Sequence, residues 1–349
     1  MSPGRRFDRA AAIVRDAHDR ELFPAAVIEV GTADDVLWRE AVGRLSYDSS
    51  AALTTEQTVF DLASLTKPVV TASVAMRLEE SGHLRLSDHV ARWLPHWTGH
   101  DRALVTIRDL LEHCSGLTAW LPIYREAQQR AEFEPAIARV ALEYTPWTQS
   151  IYSDLGFMLL AFVLEDAGAA PLDQQIAPVL QGLELIFNPP AAWRPRIAPT
   201  ELDTFRGRLL VGEVHDENAW ALGGVAGHAG LFGTAPALGA FARLVLRTLQ
   251  RDTDLGRRET LTRFVTRSSV SRSSRALGWD TMLPTSSCGT CMSARAFGHT
   301  GFTGTSLWID PEAGVYVAFL TNRVHPSRER VGFASVRPAV HDAVMAALE

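Results

Sequence analysis

Cysteine is scarce in this chain, whose 349 residues include only Cys114, Cys288 and Cys291. An odd and low number of cysteines provides no disulfide framework. Cys288 and Cys291 have the spacing of half of a redox or zinc site, but the sequence offers no second pair of ligands at metal spacing and no surrounding βαβ pattern. We therefore expect two loop thiols here, and neither a metal nor a cofactor in the protein.

Basic charge and long apolar runs are lacking as well. The 34 lysines and arginines are outnumbered by 40 aspartates and glutamates, which gives a net charge of −6. Nucleic acids and anionic membranes both require a basic face, so we expect neither as a partner. No segment has the roughly 18 uncharged apolar residues of a membrane span. The pattern does not indicate an oligomeric state.

The start of the chain also lacks the apolar core of a secretion signal. Residues 1–6 lead into a charged stretch, and Asp8, Asp16 and Asp19 interrupt the segment that a twin-arginine signal would need to be hydrophobic. We therefore expect the protein in the cytoplasm.

Strand patterns lie at both ends of the chain, and helix patterns fill the middle. Near the N-terminus, one helix pattern precedes two strand patterns, at residues 7–22, 25–30 and 36–42. Near the C-terminus, two strand patterns precede a helix pattern, at residues 306–309, 315–321 and 338–348. Between them, helices are predicted over residues 65–81, 107–113 and 155–166.

These patterns predict an α+β fold. The simplest arrangement is one antiparallel β-sheet built from both ends of the chain and flanked by the terminal helices, with an all-helical subdomain inserted. We expect residues 1–65 and 230–349 to form the sheet domain, and residues 66–229 to form the helical subdomain with the cleft loops. Two subdomains also suit the length, since a single core rarely grows beyond roughly 250–300 residues.

A serine and a lysine lie three residues apart at the start of the predicted helix 65–81, so Ser64 and Lys67 share one helix face. A serine in the first turn gains from the helix dipole and has a backbone N–H free to bind an oxyanion. A lysine one turn later can act as its base if its pKa is lowered or its proton is relayed. The alternative is a capping serine and a solvated lysine, because Ser-x-x-Lys is common by chance.

Tyr152 and Asp154 form a second cluster directly before the predicted helix 155–166. A phenol can carry a proton to a leaving group, and a nearby lysine favours its anionic form. The alternative is a core tyrosine followed by an aspartate that caps the helix.

The third cluster is His299-Thr300-Gly301-Phe302-Thr303-Gly304, just ahead of the predicted strand 306–309. Small and hydroxylated residues around two glycines let a substrate lie against the backbone, and an exposed strand edge can donate an N–H to an acyl oxygen. The alternative is a glycine-rich approach to a hairpin with a surface histidine.

Order and spacing make the three clusters more specific together than each is alone. Ser-x-x-Lys with a downstream Lys-Thr-Gly is the signature of β-lactamases and penicillin-binding proteins. Over nearly its whole length the chain resembles this serine hydrolase superfamily, and it is most similar to the branch of class C β-lactamases, D,D-peptidases and family VIII esterases. In that branch the second motif is Tyr-x-Asn and the third is often His-Thr-Gly. Segments 110–117 and 223–232 resemble the same branch.

The resemblance implies the sheet fold with an inserted helical domain, and it implies catalytic roles for four residues. Ser64 is then the acylated nucleophile, and Lys67 takes or relays its proton. Tyr152 is the proton shuttle to the leaving group. Asp154 lies where the family has asparagine, beside the lysine and the substrate amide.

The resemblance also implies an oxyanion hole and a substrate-binding wall. The N–H groups of Ser64 and Phe302 form the oxyanion hole in this assignment. His299, Thr300 and Gly301 bind the substrate along the opposite wall.

Two departures from the family pattern bear on function. Asp154 places an acid beside Lys67, and its charge should hold the lysine protonated; this pushes the base role towards Tyr152 unless Asp154 is itself protonated. His299 replaces the lysine of the usual third motif, and a neutral imidazole attracts a substrate carboxylate less than an ammonium does. Both changes weaken the case for a dedicated β-lactamase.

The predicted function is therefore hydrolysis through a Ser64 acyl-enzyme. The expected substrates are small-molecule esters, or amides and peptides of D-amino acids, with weak β-lactam hydrolysis as a side activity. Short esters should be cleaved faster than penicillins. The alternatives are a D,D-carboxypeptidase or cell-wall amidase, and a non-catalytic β-lactam or peptidoglycan sensor on the same scaffold.

Overall fold

Both ends of the chain contribute strands to one antiparallel sheet in the computed structural model, which describes residues 6–349. The strands are β1 (Ala25–Thr32), β2 (Val36–Gly43), β3 (Phe60–Asp61), β4 (Leu185–Phe187), β5 (Leu202–Asp203), β6 (Arg208–Leu209), β7 (Leu231–Gly233), β8 (Asp280–Thr281), β9 (Phe297–Thr300), β10 (Ser306–Asp310) and β11 (Val315–Thr321). Six of them form the main sheet in the order β2-β1-β11-β10-β9-β8. Residues 1–5, on which the expectation about a secretion signal partly depends, lie outside the described residues.

Helices cover both faces of this sheet. They are α1 (Asp8–Asp19), α2 (Ser73–Glu80), α3 (Ile107–Leu111), α4 (Gln129–Ala138), α5 (Asp154–Gly168), α6 (Leu172–Leu180), α7 (Glu217–Ala221), α8 (Ala235–Thr248), α9 (Arg258–Phe264) and α10 (Val336–Leu348). Within residues 6–349, no helix is by itself both long enough and apolar enough to cross a membrane.

Successive side chains of a strand point to opposite faces of the sheet, so one sheet can pack against helices on both sides. In β11, Val317 and Phe319 join the apolar cluster that α1 and α10 cover. Ala318 and Leu320 point to the other face and join the larger core that includes α8 and the helices of the middle segment. All seven residues of β11 are buried, which is why this strand reads as a continuous apolar run.

The predicted α+β fold is confirmed, with the terminal helices packed together on one face of the sheet. The middle of the chain also contains short strands that periodicity does not predict. Strands β3, β7 and β4 form a three-stranded sheet, and β5 pairs with β6. Strands of two or three residues are too short to show an alternating pattern. The division into residues 1–65 with 230–349 and residues 66–229 stays a prediction.

The helix predicted over residues 65–81 is present, but it is not a regular α-helix throughout. A short 3₁₀ turn at Ala63–Leu65 leads into a π-helical stretch at Lys67–Ala72, and only then does α2 begin. Pro68 is at the start of the π-helical stretch and has no N–H to donate to a preceding carbonyl. The wider turn places Lys67 in the interior, fully buried.

A buried carboxylate ties the sheet to α8. Glu29 of β1 is fully buried, and its oxygens accept hydrogen bonds from Arg39 Nε at 2.7 Å, Arg243 Nη1 at 3.1 Å and Tyr316 Oη at 2.6 Å. These partners lie on β2, α8 and β11. Because a buried charge is tolerated only when it is paired, this cluster should contribute strongly to the free energy of unfolding.

We expect Glu29→Ala to lower the free energy of unfolding by about 3 kcal/mol, since it leaves largely buried guanidinium groups without their counter-ion. Glu56→Ala is the matched control, because Glu56 pairs with the same Arg39 at 2.6 Å but its side chain is 50% exposed. The control should cost about 1 kcal/mol or less. Urea unfolding followed by tryptophan fluorescence measures both, and equal losses would contradict the assignment.

Candidate active site

Ser64 lies in a tight turn directly after β3. The preceding Ala63 adopts a left-handed backbone, with φ of 49°. Its N–H donates to Asp61 Oδ1 at 2.8 Å, and its carbonyl accepts from Thr66 Oγ1 at 2.7 Å. A non-glycine residue in this region persists only where its surroundings hold it, and such residues cluster at functional sites. The two hydrogen bonds supply that restraint and set the direction of the Ser64 side chain.

Lys67 Nζ is enclosed by three oxygen atoms. It donates to Ser64 Oγ at 3.0 Å, to Asp154 Oδ1 at 2.6 Å and to the His228 carbonyl at 3.0 Å. The Tyr152 ring centroid lies 4.7 Å from the same nitrogen. The lysine is fully buried, so the alternative of a solvated lysine is wrong.

Tyr152 completes the contacts of the serine hydroxyl. Its Oη donates to Ser64 Oγ at 2.7 Å. The guanidinium carbon of Arg275 lies 5.0 Å from the centroid of the tyrosine ring, and the His113 ring centroid lies 4.7 Å from it. Both groups that could act as base therefore touch Ser64 directly.

The charges of Lys67 and Tyr152 in the resting site follow from their burial and from the neighbouring Asp154. Burial alone would lower the pKa of Lys67, but the Asp154 carboxylate, and then the Tyr152 oxygen, outweigh burial and raise that pKa above its usual value. Burial raises the pKa of Tyr152 more than the lysine lowers it. At neutral pH the pair is thus an ammonium and a phenol. One proton must leave before either group can accept the serine proton, and the two groups titrate as a unit.

Asp154 does not cap α5. The N-cap is Ser153, whose Oγ accepts from the Gly156 N–H at 3.2 Å. Asp154 is the first residue of the helix, and its carboxylate turns to Lys67 instead. The capping alternative at this position is therefore wrong.

The third cluster is attached to the nucleophile turn by two threonine hydroxyls. Thr303 Oγ1 donates to the Asp61 carbonyl at 2.7 Å, and Thr305 Oγ1 donates to the Leu62 carbonyl at 3.0 Å. Gly301 lies so close that a Cβ atom there would be 2.5 Å from the Leu62 carbonyl oxygen, so only glycine fits. The strand end and the nucleophile thus occupy one wall of the site.

Two backbone N–H groups are free at this wall. Across residues 6–349, the amides of Ser64 and Phe302 donate to no other protein group. Such preorganised N–H groups are the usual donors of an oxyanion hole.

His299 is buried at the end of β9, with 3% of its surface exposed, so the alternative of a surface histidine is wrong. Its Nδ1 lies 2.8 Å from the Thr300 carbonyl, which can only accept, so Nδ1 carries the proton. Its Nε2 has no partner in the part of the chain that the structure describes. Burial, followed by Lys67 and Arg275, lowers the pKa of His299 well below its usual range. The imidazole is neutral and can only accept a hydrogen bond at Nε2.

These residues line one open cleft of ≈ 890 Å³. Every predicted site residue contributes to its surface except Lys67, which lies behind the wall in contact with Ser64. The cleft also contains arginines that the sequence analysis missed, namely Arg275, Arg323, Arg328, Arg330 and Arg337. They are scattered among 34 basic residues, and no local pattern marks them.

These arginines add positive charge to the cleft that the motif residues Asp154 and His299 do not reveal. Arg328 pairs with Glu201 and Glu217, and Arg330 lies 3.5 Å from Glu21. Arg323 and Arg337, in contrast, form no ion pair with any carboxylate of residues 6–349. Two cations without an ion-pair partner near the third cluster favour substrates with a negative group.

A histidine and an aspartate behind the lysine were missed as well. His228 offers its carbonyl to Lys67, and its ring Nε2 lies 2.8 Å from Asp216 Oδ1. Asp216 Oδ1 also accepts from the Ala219 N–H and so caps α7. Among residues 6–349 no group of three or more metal-ligating side chains is arranged to hold an ion.

Comparison with known proteins agrees with this geometry. The model of the Beta-lactamase family matches residues 10–340. A protein of Escherichia coli K12 named putative D-alanyl-D-alanine carboxypeptidase is 32% identical over 346 residues, which cover 87% of this chain and 79% of the relative. The chain therefore belongs to the beta-lactamase family of serine hydrolases.

Solved structures share the fold at lower identity. EstCE1, described as a hydrolase with promiscuous acyltransferase activity, has a TM-score of 0.78 and 21% identity, with 99% of each chain covered. A penicillin-binding protein homologue from Caulobacter crescentus has a TM-score of 0.77 and 18% identity, with 98% of this chain and 97% of the other covered.

Asp154→Asn should move the pH profile of activity towards acid. The carboxylate raises the pKa of Lys67, so its removal lowers that pKa and lets the base form appear at lower pH, by about 1–3 pH units. The measurement is kcat/KM for p-nitrophenyl acetate against pH. An unmoved profile would show that the ion pair does not control the base.

The same substitution in a Tyr152→Phe background identifies the base. If Lys67 accepts the serine proton, the acid-ward shift persists without the phenol. If Tyr152 accepts it, the phenylalanine variant loses the titrating limb of the profile.

Proposed function

We propose that this chain forms an acyl-enzyme on Ser64 and hydrolyses small carboxylic esters, or amides and peptides of D-amino acids, with weak hydrolysis of β-lactams. The observation that supports this most is the position of Ser64 Oγ, 2.7 Å from Tyr152 Oη and 3.0 Å from Lys67 Nζ, on the surface of an open cleft. A nucleophile within reach of two proton-transfer groups is the arrangement that covalent catalysis requires.

In the proposed acylation, Ser64 Oγ attacks the substrate carbonyl while its proton passes to the Tyr152–Lys67 pair. Because Asp154 holds Lys67 as an ammonium, we assign the active form to a Tyr152 phenolate beside a charged lysine. The carbonyl oxygen becomes negative between the N–H groups of Ser64 and Phe302. Tyr152 then returns the proton to the leaving group, and water reverses the sequence in deacylation.

A D,D-carboxypeptidase is the second candidate, because one cleft arginine is free to bind a carboxylate. Arg323 Nε donates to the Phe302 carbonyl at 2.8 Å, and neither Nη atom has a partner in the described chain. A guanidinium with two free NH₂ groups suits the C-terminal carboxylate of a peptide. The name of the Escherichia coli relative supports the same substrate class.

Ser64→Ala should reduce hydrolysis of p-nitrophenyl acetate by a factor of about 10⁶, as expected for loss of a nucleophile. A fluorophosphonate should label the wild type at the Ser64 peptide, seen by mass spectrometry, and leave the variant unlabelled. Ser81→Ala, at the exposed end of α2, is the control and should keep wild-type rates. Retention of more than a few per cent of activity in Ser64→Ala would rule out this nucleophile.

Arg323→Gln should separate the two substrate classes. The matched esters are p-nitrophenyl acetate and 3-carboxy-4-nitrophenyl acetate, which differ by one carboxylate on the leaving group. We expect the variant to lose about tenfold in kcat/KM on the anionic ester, the worth of a charge-assisted hydrogen bond, and less on the neutral one. Equal losses on both esters would argue against a carboxylate site at Arg323.

A further inference from the structure

One partly buried arginine of the cleft wall is held by backbone oxygens. Arg337 lies in the first turn of α10, and its Nη2 donates to the Gly301 carbonyl at 2.6 Å and to the Thr305 carbonyl at 2.9 Å. Its Nε is buried and has no partner among residues 6–349. Burial, and then Arg323, lower the pKa of Arg337, yet a guanidinium remains charged at neutral pH. A partly buried cation is thus directed onto peptide carbonyls.

The Gly301 carbonyl belongs to the same peptide unit as the Phe302 N–H. In a planar trans peptide the C=O and N–H bonds point in opposite directions. With Arg337 on the oxygen, the Phe302 N–H is directed away from the guanidinium. Gly301 itself lies against Leu62 and Ala63, next to the nucleophile. The charge of Arg337 therefore acts on the carbonyl end of the Gly301–Phe302 peptide. The other end of this peptide is the free N–H of Phe302.

We propose that Arg337 is a positioning residue for the oxyanion hole, which holds the Gly301–Phe302 peptide in place and polarises it so that the Phe302 N–H binds the developing oxyanion more strongly. This inference rests on the proposed function of Ser64 and Phe302. A carbonyl that accepts a hydrogen bond makes the N–H of its own peptide a stronger donor, and the effect is larger where water is excluded. Preorganised donors of this kind act on the transition state, so the effect appears in kcat.

This role differs measurably from recognition of a substrate carboxylate. An arginine that binds a carboxylate changes KM for anionic substrates and leaves neutral ones little affected. An arginine that polarises the oxyanion donor lowers kcat for every acyl substrate, charged or neutral. The neutral ester p-nitrophenyl acetate therefore isolates the proposed effect.

The experiment compares Arg337→Met and Arg337→Lys with wild type on p-nitrophenyl acetate. We expect kcat of Arg337→Met to fall by about ten- to a hundredfold, less than or equal to the loss of a whole oxyanion donor, with KM changed by about twofold or less. Arg337→Lys keeps a positive charge and one donor towards Gly301, so it should recover part of the loss. Phenylboronic acid is a neutral probe that forms a tetrahedral serine adduct. It should bind most tightly to wild type, less tightly to Arg337→Lys and least tightly to Arg337→Met.

Arg330→Met is the matched control. It also removes a guanidinium from the cleft surface, but Arg330 contacts Glu21 and Tyr47 rather than a site peptide. We expect its kcat on the neutral ester to equal that of wild type.

Two results would overturn the proposal: an unchanged kcat in Arg337→Met, or a loss confined to KM on 3-carboxy-4-nitrophenyl acetate. If thermal melting shows Arg337→Met to be unfolded, Arg337→Gln decides, because it keeps a donor but no charge, and full kcat in that variant also overturns the proposal. Fluorophosphonate labelling of Ser64 in wild type distinguishes failure of the inference about Arg337 from failure of the proposed function. Labelling with unaffected Arg337 variants refutes only this inference, whereas absent labelling refutes the proposed function.

Discussion

A fully buried ammonium organises this site. Lys67 has no contact with water, so its charge must be balanced inside the protein, and Asp154 does this at 2.6 Å. The two remaining hydrogen-bond directions of the ammonium go to Ser64 and to the His228 carbonyl. The lysine thus joins the nucleophile turn, the start of α5 and the loop before β7. Removing Asp154 would leave the buried ammonium without its counter-ion, and removing either of the other oxygens would leave one of its N–H donors without a partner.

A second constraint joins the two sides of the cleft. The sheet contributes the backbone of the third cluster, and the segment after β3 contributes the nucleophile. The hydroxyls of Thr303 and Thr305 connect them through the carbonyls of Asp61 and Leu62, and Gly301 allows the backbones to approach. Both N–H groups assigned to the oxyanion hole lie on this joined wall. Its rigidity is what an oxyanion hole requires, since donors that must reorganise during the reaction stabilise the transition state less.

The cleft is less positive near Ser64 and more positive near its arginines. Asp154 and the neutral His299 make the immediate surroundings of the serine less positive than a lysine in the third motif would. Arg323 and Arg337 restore positive charge further along the same wall. In the proposed assignments Arg323 faces the substrate, and Arg337 faces the Gly301–Phe302 peptide. In these assignments the positive charge lies beside the leaving group and the oxyanion, and the negative charge of Asp154 lies beside the lysine.

Much of the fold and family could be predicted from the sequence, because the relevant signals are local. Apolar segments of strand length at residues 25–30, 36–42 and 315–321 predict three sheet strands within one or two residues. Ser64 and Lys67 are neighbours on the chain, so their contact follows from helical spacing alone. The short strands β3 to β7 could not be predicted in this way, and neither could the π-helical form of Lys67–Ala72.

Only the tertiary structure decided the contacts between distant residues. Lys67 and Asp154 are 87 positions apart, and Thr303 lies 242 positions from Asp61. Whether Asp154 capped its helix or paired with the lysine depended on which group the fold brought within reach. The burial of His299 and the gathering of scattered arginines in one cleft depended on the fold in the same way. The sequence determined the family, the α+β class and the reactive residue types, whereas charge and hydrogen bonding act over a few ångströms, so which partners meet is decided when the chain folds.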